Sequence, residues 1–177
     1  VCIDTSMGFT PLGGVMMGTR SGDIDPSIIP YIMEQEGMNA MEVIDELNTQ
    51  SGLLGLSEFS SDMRDIVSNA ALGNHKCEIA MEKYVRRIVD FIAQYYVLLD
   101  GADIIVFTAG VGENNVKIRG EICDRLKCLG VLIDSSLNEK VGEVVKLSTD
   151  ESKVDVYVIP TNEELMIARD TLKLINR

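Results

Sequence analysis

The sequence contains no tryptophan and only one histidine, His75, among its 177 residues. Its four cysteines include no Cys-x-x-Cys pair, so these residue types do not supply the ligand spacing of a zinc site. Lys and Arg number 16 against 28 Asp and Glu, and the net charge of −12 argues against a nucleic-acid-binding surface. No run reaches the roughly 18 uninterrupted apolar residues of a membrane-spanning helix. We therefore expect a cytoplasmic protein with free thiols and with neither nucleic acid nor a membrane as a partner.

Short β-branched runs alternate with amphipathic segments along the chain, which predicts an α/β fold. Strands are predicted twice within residues 1–19 and again at 104–107, 131–133, 144–147 and 154–159. Helices are predicted at about 25–36, 39–50, 62–72, 74–99 and 115–126, and from Thr161 onward. The continuous apolar run at 104–107 predicts a strand that is buried on both faces. Residues 51–61, rich in glycine and serine, are predicted to be a connection without regular structure.

Arg20 is a first candidate functional residue because it lies in the run Gly18-Thr19-Arg20-Ser21-Gly22, after an apolar segment. Glycines allow the main chain to approach a ligand closely, and a guanidinium can hold phosphate oxygens with two hydrogen bonds at once. The spacing is equally compatible with an ordinary surface ion pair between Arg20 and Asp23 or Asp25.

A second candidate is the segment Gly110-Val111-Gly112-Glu113-Asn114, between a predicted strand and a predicted helix. Glycines at such a point suit close contact with a nucleotide, and helix N-termini favour anions. Asp134 follows at a spacing typical of dinucleotide-binding folds, but Asn115 stands where the third glycine of that fingerprint belongs, so we disfavour this alternative.

The last predicted helix opens with Thr161-Asn162-Glu163-Glu164. Thr161 and Glu164 have the spacing of a capping box, which predicts a structural role for Glu164. Glu163 is not needed for such a box. His75 follows the predicted N-cap Asn74 at a solvated helix start, so we expect no catalytic role for it.

Several of these segments together resemble the acetokinase family, the acetate kinases. The resemblance covers nearly the whole chain, in order, through residues 4–12, 18–26, 51–55, 61–64, 107–114 and 160–164. Two departures from the family pattern are visible. Gly13 replaces a residue that is usually acidic, and Ala109 replaces the first glycine of the usual Gly-Gly-Ile-Gly-Glu-Asn.

The resemblance implies that residues 1–177 form the C-terminal nucleotide-binding domain of a two-domain kinase whose N-terminal domain is missing here. Such a domain has an actin-like, ribonuclease-H-like fold, with a mixed five-stranded sheet flanked by helices. The implied reaction is reversible, magnesium-dependent phosphoryl transfer from ATP to acetate, giving acetyl phosphate and ADP. A homodimer that pairs through this domain is expected as well, and the chain alone is expected to be inactive.

The resemblance also implies a role for each matching residue. Arg20 would stabilise the transferring phosphoryl group, Pro11 would line the pocket for the substrate methyl group, and Glu163 would be associated with Mg²⁺. The nucleotide would be bound by Asp62, Met63, Arg64, Gly110, Val111, Gly112, Glu113 and Asn114. Pro11 is equally compatible with a plain turn, and Asp62 with a helix cap. Propionate or butyrate kinase remains an alternative within the family, and a non-catalytic actin-like nucleotide-binding module is an alternative from another class.

Overall fold

The computed structural model describes residues 1–175, which divide into two compact units. The first unit is Val1–Gly101 and the second begins at Ala102. The first is helical, whereas the second combines helices with a sheet. The α/β class predicted from the alternation of segments is therefore confirmed, although the described strands all lie in the second unit.

Five helices make up the regular structure that is described in the first unit. They are α1 (Ile28–Glu36), α2 (Ala40–Thr49), α3 (Gly52–Ser57), α4 (Met63–Ala71) and α5 (His75–Leu98). Local sequence accounts for several of their ends. Asn39 and Glu42 form a reciprocal capping box at the start of α2, Asp62 caps α4, Asn74 caps α5, and Gly37 ends α1 with a φ of 67°.

The core of the first unit forms where α3 and α4 pack against α5. Its buried apolar side chains come from each of these helices and from α2, and include Val43, Leu53, Ile66, Cys77 and Val85. Residues 51–61, predicted to be irregular, in fact contain α3. The apolar residues Leu53 and Leu54 lie within it, and Leu53 is 2% exposed, so burial favours a helix in a segment whose composition suggested a loop.

The two strands predicted within residues 1–19 are not present, and this part of the chain has no regular secondary structure. Val1, Ile3, Met7 and Phe9 are exposed. A strand is stabilised by hydrogen bonds to a neighbouring strand, and no described strand pairs with this segment. Apolar and β-branched composition alone was therefore not sufficient to make a strand here.

The second unit contains a three-stranded mixed sheet with β3 at its centre. Its elements are β1 (Ile104–Phe107), α6 (Ala109–Asn114), α7 (Val116–Arg125), a short 3₁₀ helix (Lys127–Leu129), α8 (Ser135–Asn138), β2 (Val145–Lys146), β3 (Asp155–Val158) and α9 (Glu163–Ile175). β1 pairs with β3 in parallel, and β2 pairs with β3 antiparallel. The core consists of side chains from β3 and α7 with the segments between them, among them Ile118, Ile122, Leu147, Val156 and Val158.

Two predictions about this sheet need correction. It has three strands in the described residues rather than five, because the unpaired N-terminal segment adds none and residues 131–133 contribute only one isolated bridge, from Ile133 to Ser148. β1 is also not buried on both faces. Ile104 and Val106 are 54% and 45% exposed, while Phe107 on the opposite face is buried. An uninterrupted apolar run could not distinguish a strand covered on two faces from one covered on a single face.

Candidate functional site

The carboxyl ends of β1 and β3 lie side by side in the second unit. The strands are parallel, and Phe107 at the end of β1 is opposite Val158 at the end of β3. The segments that follow, 108–114 and 159–163, therefore leave the same edge of the sheet. This is the edge at which open α/β sheets bind ligands. The structure thus brings the predicted nucleotide segment Gly110–Asn114 and the predicted metal-associated Glu163 to neighbouring strand ends.

Glu113 and Thr161 tie these two segments together. Glu113 Oε1 accepts hydrogen bonds from the Thr161 main-chain N (2.7 Å), the Thr161 Oγ1 (2.8 Å) and the Ala109 main-chain N (2.7 Å). Thr161 Oγ1 also lies 2.7 Å from Thr108 Oγ1. The Thr161 N–H is the largest cause of a lowered pKa for the Glu113 carboxyl. Through this one oxygen, Glu113 connects the segment that follows β1 to the segment that follows β3.

The glycines of the nucleotide segment lie inside the short helix α6, which corrects the prediction of a connection between the strand and a helix that begins at about residue 115. A β-carbon at Gly110 would meet no atom within 4 Å, and one at Gly112 would be in ordinary contact with Phe107 at 3.5 Å. Protein packing therefore does not require glycine at either position. The space next to Gly110 is open to a ligand, as a nucleotide-binding segment needs.

Ala109, which replaces a glycine of the family pattern, has a φ of 59°. This left-handed conformation brings the β-carbon of an L-residue too close to its own main chain, whereas glycine adopts it freely. The backbone conformation explains why glycine is usual at this position in the family pattern.

The capping box predicted for Thr161 and Glu164 is wrong. The helix α9 begins at Glu163, and the Asn162 Oδ1 accepts the hydrogen bond from the Leu165 N–H at 3.1 Å. Asn162 is therefore the capping residue, and the Thr161 hydroxyl is used by Glu113 and Thr108 instead. Glu163 is exposed in the first turn of α9, and among the described residues it forms no ion pair.

In the first unit, Arg20 lies on a loop that is fixed by main-chain hydrogen bonds to the start of α3. The Ser51 N–H donates to the Thr19 carbonyl, Leu53 to Met17, and Leu54 to Gly18, each at 2.9 Å. Gly52 makes this contact possible. Its φ is 61°, and a β-carbon there would lie 2.2 Å from the Met17 carbonyl oxygen and 2.6 Å from that of Arg20.

The guanidinium of Arg20 is left without an acidic partner in the described part of the chain, and its Nη1 donates a hydrogen bond to Met17 Sδ at 3.6 Å. Both acids of the alternative interpretation are engaged elsewhere. Asp23 pairs with Arg87 and accepts from the Gly14 N–H, and Asp25 accepts from the Ser27 N–H. The structure therefore does not support the ordinary ion pair as an explanation of Arg20.

Asp62 and Arg64 form an exposed pair at the start of α4. Asp62 accepts hydrogen bonds from the Arg64 main-chain N (2.8 Å), Nε (3.0 Å) and Nη2 (2.5 Å). The hydrogen bond from the Arg64 side chain is the main reason that the pKa of Asp62 falls to about 2. Met63 is buried and belongs to the core, so its side chain is not available to a ligand. Pro11 lies exposed in a turn.

The histidine and the buried cysteines were also considered as functional groups. His75 is exposed at the start of α5, 3.3 Å from Glu78, as its sequence context suggested. Cys77 and Cys123 are buried, and burial raises the pKa of the Cys123 thiol to about 12. Within residues 1–175, no three His, Cys, Asp or Glu side chains cluster as metal ligands. None of the described helices is long and apolar enough to cross a bilayer.

The architecture is thus an α/β fold with a mixed sheet flanked by helices, and with glycine-rich and acidic segments at the carboxyl ends of two parallel strands. Residues 1–169 match the model of the acetokinase family, and the chain belongs to that family. It is 54% identical over 174 residues to an acetate kinase of Geobacillus kaustophilus (strain HTA426), an alignment that covers 98% of this chain and 44% of that protein.

The chain is also similar to solved structures of kinases. The crystal structure of Porphyromonas gingivalis acetate kinase matches 96% of this chain and 43% of its own with a TM-score of 0.90 and 43% identity. A propionate kinase from Francisella tularensis subsp. tularensis SCHU S4 matches 94% of this chain and 42% of its own, with a TM-score of 0.87 and 44% identity. The chain therefore spans less than half the length of the relatives that it matches.

Proposed function

We propose that the protein to which this chain belongs is an acetate kinase, which transfers the γ-phosphoryl group of ATP reversibly to acetate. The observation that carries this proposal is the pair of neighbouring strand ends in the second unit. There, the open main chain at Gly110 and the unpaired carboxylate of Glu163 are available to a nucleotide and a cation. Membership of the acetokinase family supports the choice of reaction.

The chain's own residues have the chemistry that phosphoryl transfer requires. Charge spreads over the equatorial oxygens of the transferring group, and preorganised donors stabilise it. Arg20 suits this role because main-chain hydrogen bonds hold its loop against α3 and no acid neutralises its guanidinium among the described residues. The open face of Gly110 to Asn114 would bind the nucleotide in the second unit, and Asp62, Met63 and Arg64 are the nucleotide-binding residues that we propose in the first unit. Pro11 would line the methyl pocket.

Glu163 is a suitable protein ligand for Mg²⁺. Magnesium is commonly held by one or two carboxylates together with phosphate oxygens and water, so a site with Glu163 as the protein ligand is reasonable, and a cage of three acids is not needed. When bound, the ion neutralises charge on the phosphates. Glu113 is less suited to the ion, because one of its oxygens already accepts three hydrogen bonds.

We further propose that this chain is the C-terminal part of the protein, with an actin-like nucleotide-binding fold, and that it is inactive alone. The coverage of 44% of a named relative supports a missing portion, and the mixed sheet is compatible with that fold class. The cytoplasmic location and the homodimer remain predictions from composition and family resemblance.

Propionate kinase is a second candidate, because a protein of that name matches nearly as well in structure. The test uses the full-length protein with Mg-ATP and acetate, propionate or butyrate in turn, and traps the acyl phosphate with hydroxylamine. We expect the highest kcat/KM with acetate. A preference for propionate or butyrate would reassign the substrate, and nucleotide binding without any acyl phosphate would favour a non-catalytic module.

A further inference from the structure

Arg119, in the middle of α7, is fully buried, with 0% of its surface exposed. It is the largest of the described side chains shielded to this degree, and Ile118 and Ile122 on the same helix are buried beside it. Burying a cation is costly unless its donors are satisfied. Its hydrogen-bond partners therefore show what the side chain holds in place.

All five N–H groups of the guanidinium have an acceptor, and each acceptor is a neutral amide oxygen. Nη1 donates to the carbonyls of Gly112 (3.1 Å) and Glu113 (2.7 Å). On the other side, Nε donates to the Asn138 side-chain oxygen (2.9 Å), and Nη2 donates to the carbonyls of Asn138 (2.5 Å) and Lys140 (3.2 Å). Arg119 thus connects the last turn of α6 to the end of α8.

The helix α6 needs such a connection. It has six residues, two of them glycine, and no buried side chain, so neither helix propensity nor core packing fixes it. The carbonyls of its last turn lack partners within the helix, as at every helix end. Glu113 and Thr161 secure its first residue, through the Ala109 N–H, and Arg119 secures its last turn.

We propose that Arg119 is a positioning residue for adenine nucleotide, one that never touches the nucleotide but fixes the main chain of Gly110–Asn114 in the conformation that binds it. This inference rests on the proposed nucleotide-binding role of that segment. A lysine cannot replace the arginine, because a compact ammonium group has three donors and lacks the planar fork that reaches α6 and α8 together.

The test compares Arg119→Lys with Lys117→Gln in the full-length protein. Lys117 is an exposed cation on the same helix, paired with Glu121, and serves as the matched control. For Arg119→Lys we expect the Kd for ADP and the KM for ATP to rise on the order of tenfold, the size of loss that follows when a residue that orients a metal ligand is removed. The KM for acetate should stay unchanged, and Lys117→Gln should behave like the wild type. A purely structural role would reduce the active fraction and kcat without raising a KM, and that result would overturn the proposal.

If Arg119→Lys does not fold, Asn138→Ala replaces it. This variant leaves both acceptors on α6 in place and removes the acceptor of Nε, together with the hydrogen bond from Asn138 Nδ2 to the Val116 carbonyl (3.0 Å), so we expect a smaller rise in the same two constants. An unchanged Kd for ADP in the folded variant would overturn the proposal. Amide hydrogen exchange of the wild type with and without ADP tests the proposed nucleotide site separately from the proposed role of Arg119. If ADP does not protect residues 109–115, the proposed nucleotide site is wrong. If ADP protects them but the variants bind ADP normally, only the role of Arg119 is wrong.

Discussion

The loop that carries Arg20 in the first unit and the strand ends that carry Glu113 in the second are both held by hydrogen bonds, but by different kinds of partner. Main-chain groups of α3 hold the Arg20 loop, and the guanidinium of Arg20 remains unneutralised. The strand ends are held by side chains, because Glu113, Thr161 and Arg119 use their polar atoms to join segments.

This difference separates residues that are available to a ligand from residues that position others. A side chain whose loop is fixed by main chain can be replaced with little loss of stability. A side chain that itself holds two segments cannot. The candidate residues therefore fall into two groups: Arg20 and Glu163 are available for chemistry, whereas Glu113 and Asp62 are engaged in structure.

The largest effect is expected at Arg20. Arg20→Ala in the full-length protein should lower kcat by about 10³ with little change in melting temperature, because arginines aimed at a phosphoryl transition state contribute about this much. Arg20→Lys should recover little of the rate. Steady-state kinetics and a melting curve on the same preparation check both points. Arg86→Ala, at an exposed arginine of the first unit, is the control. A near-normal kcat for Arg20→Ala would show that Arg20 does not take part in phosphoryl transfer.

The next largest effect is expected at Glu163. Glu163→Gln should raise the Mg²⁺ concentration needed for half-maximal rate by on the order of tenfold, since a carboxylate ligand is lost while the helix cap at Asn162 is kept. A magnesium titration measures it, with Glu164→Gln as the neighbouring control. Equal titration curves for Glu163→Gln and the wild type would mean that this chain does not hold the ion through Glu163.

Substitution of Glu113, unlike substitution of Arg20 or Glu163, should lower the stability of the protein as well as its nucleotide binding. Glu113→Ala should lower the melting temperature at pH 7, because both strand-end segments lose their shared acceptor. The lowered pKa gives the pH dependence its sign: the stabilisation is present above the ordinary glutamate pKa of about 4.3 and disappears as the pH falls through the folded-state value. Glu113→Gln should remove that part of the pH dependence. Thermal unfolding between neutral and acid pH measures it, and identical profiles for Glu113→Gln and the wild type would contradict the assignment.

A smaller effect is expected at the start of α9. Asn162→Ala should cost about 1 kcal/mol of stability, the usual loss for a helix N-cap, whereas Glu164→Ala should cost much less. Denaturant titrations of the two variants compare them directly. A larger loss for Glu164→Ala would restore the capping box of Thr161 and Glu164.

The smallest effect is expected at Asp62, because the Asp62–Arg64 pair is on the surface and is screened by solvent and salt. The pKa of Asp62 in the folded protein is about 2, compared with 3.8 for the free group. Its stabilisation is therefore fully present above about pH 4 and is lost as the pH falls towards 2. The difference in stability between the wild type and Asp62→Asn should narrow over this range in low salt. A constant difference would show that the pair contributes nothing through its charge.

The sequence alone determined the local features of this protein. The caps at Asn39, Asp62 and Asn74 and the end of α1 at Gly37 depend on residues close together in the chain, so their patterns could be recognised directly. The resemblance to the acetokinase family rested on short contiguous motifs for the same reason. The candidate residues Arg20, Glu163 and Gly110–Asn114 were accessible to sequence reasoning in this way.

Only the tertiary structure decided which groups meet across long separations in the chain. The number of paired strands, the exposed face of β1, the partner of Thr161 and the burial of Arg119 depend on residues many positions apart. Thr161 illustrates the reason. Its hydroxyl could cap the helix that follows or bond to Glu113, 48 residues earlier, and both are ordinary hydrogen bonds. The parallel pairing of β1 with β3 brings Glu113 within reach, and that proximity determined which bond formed.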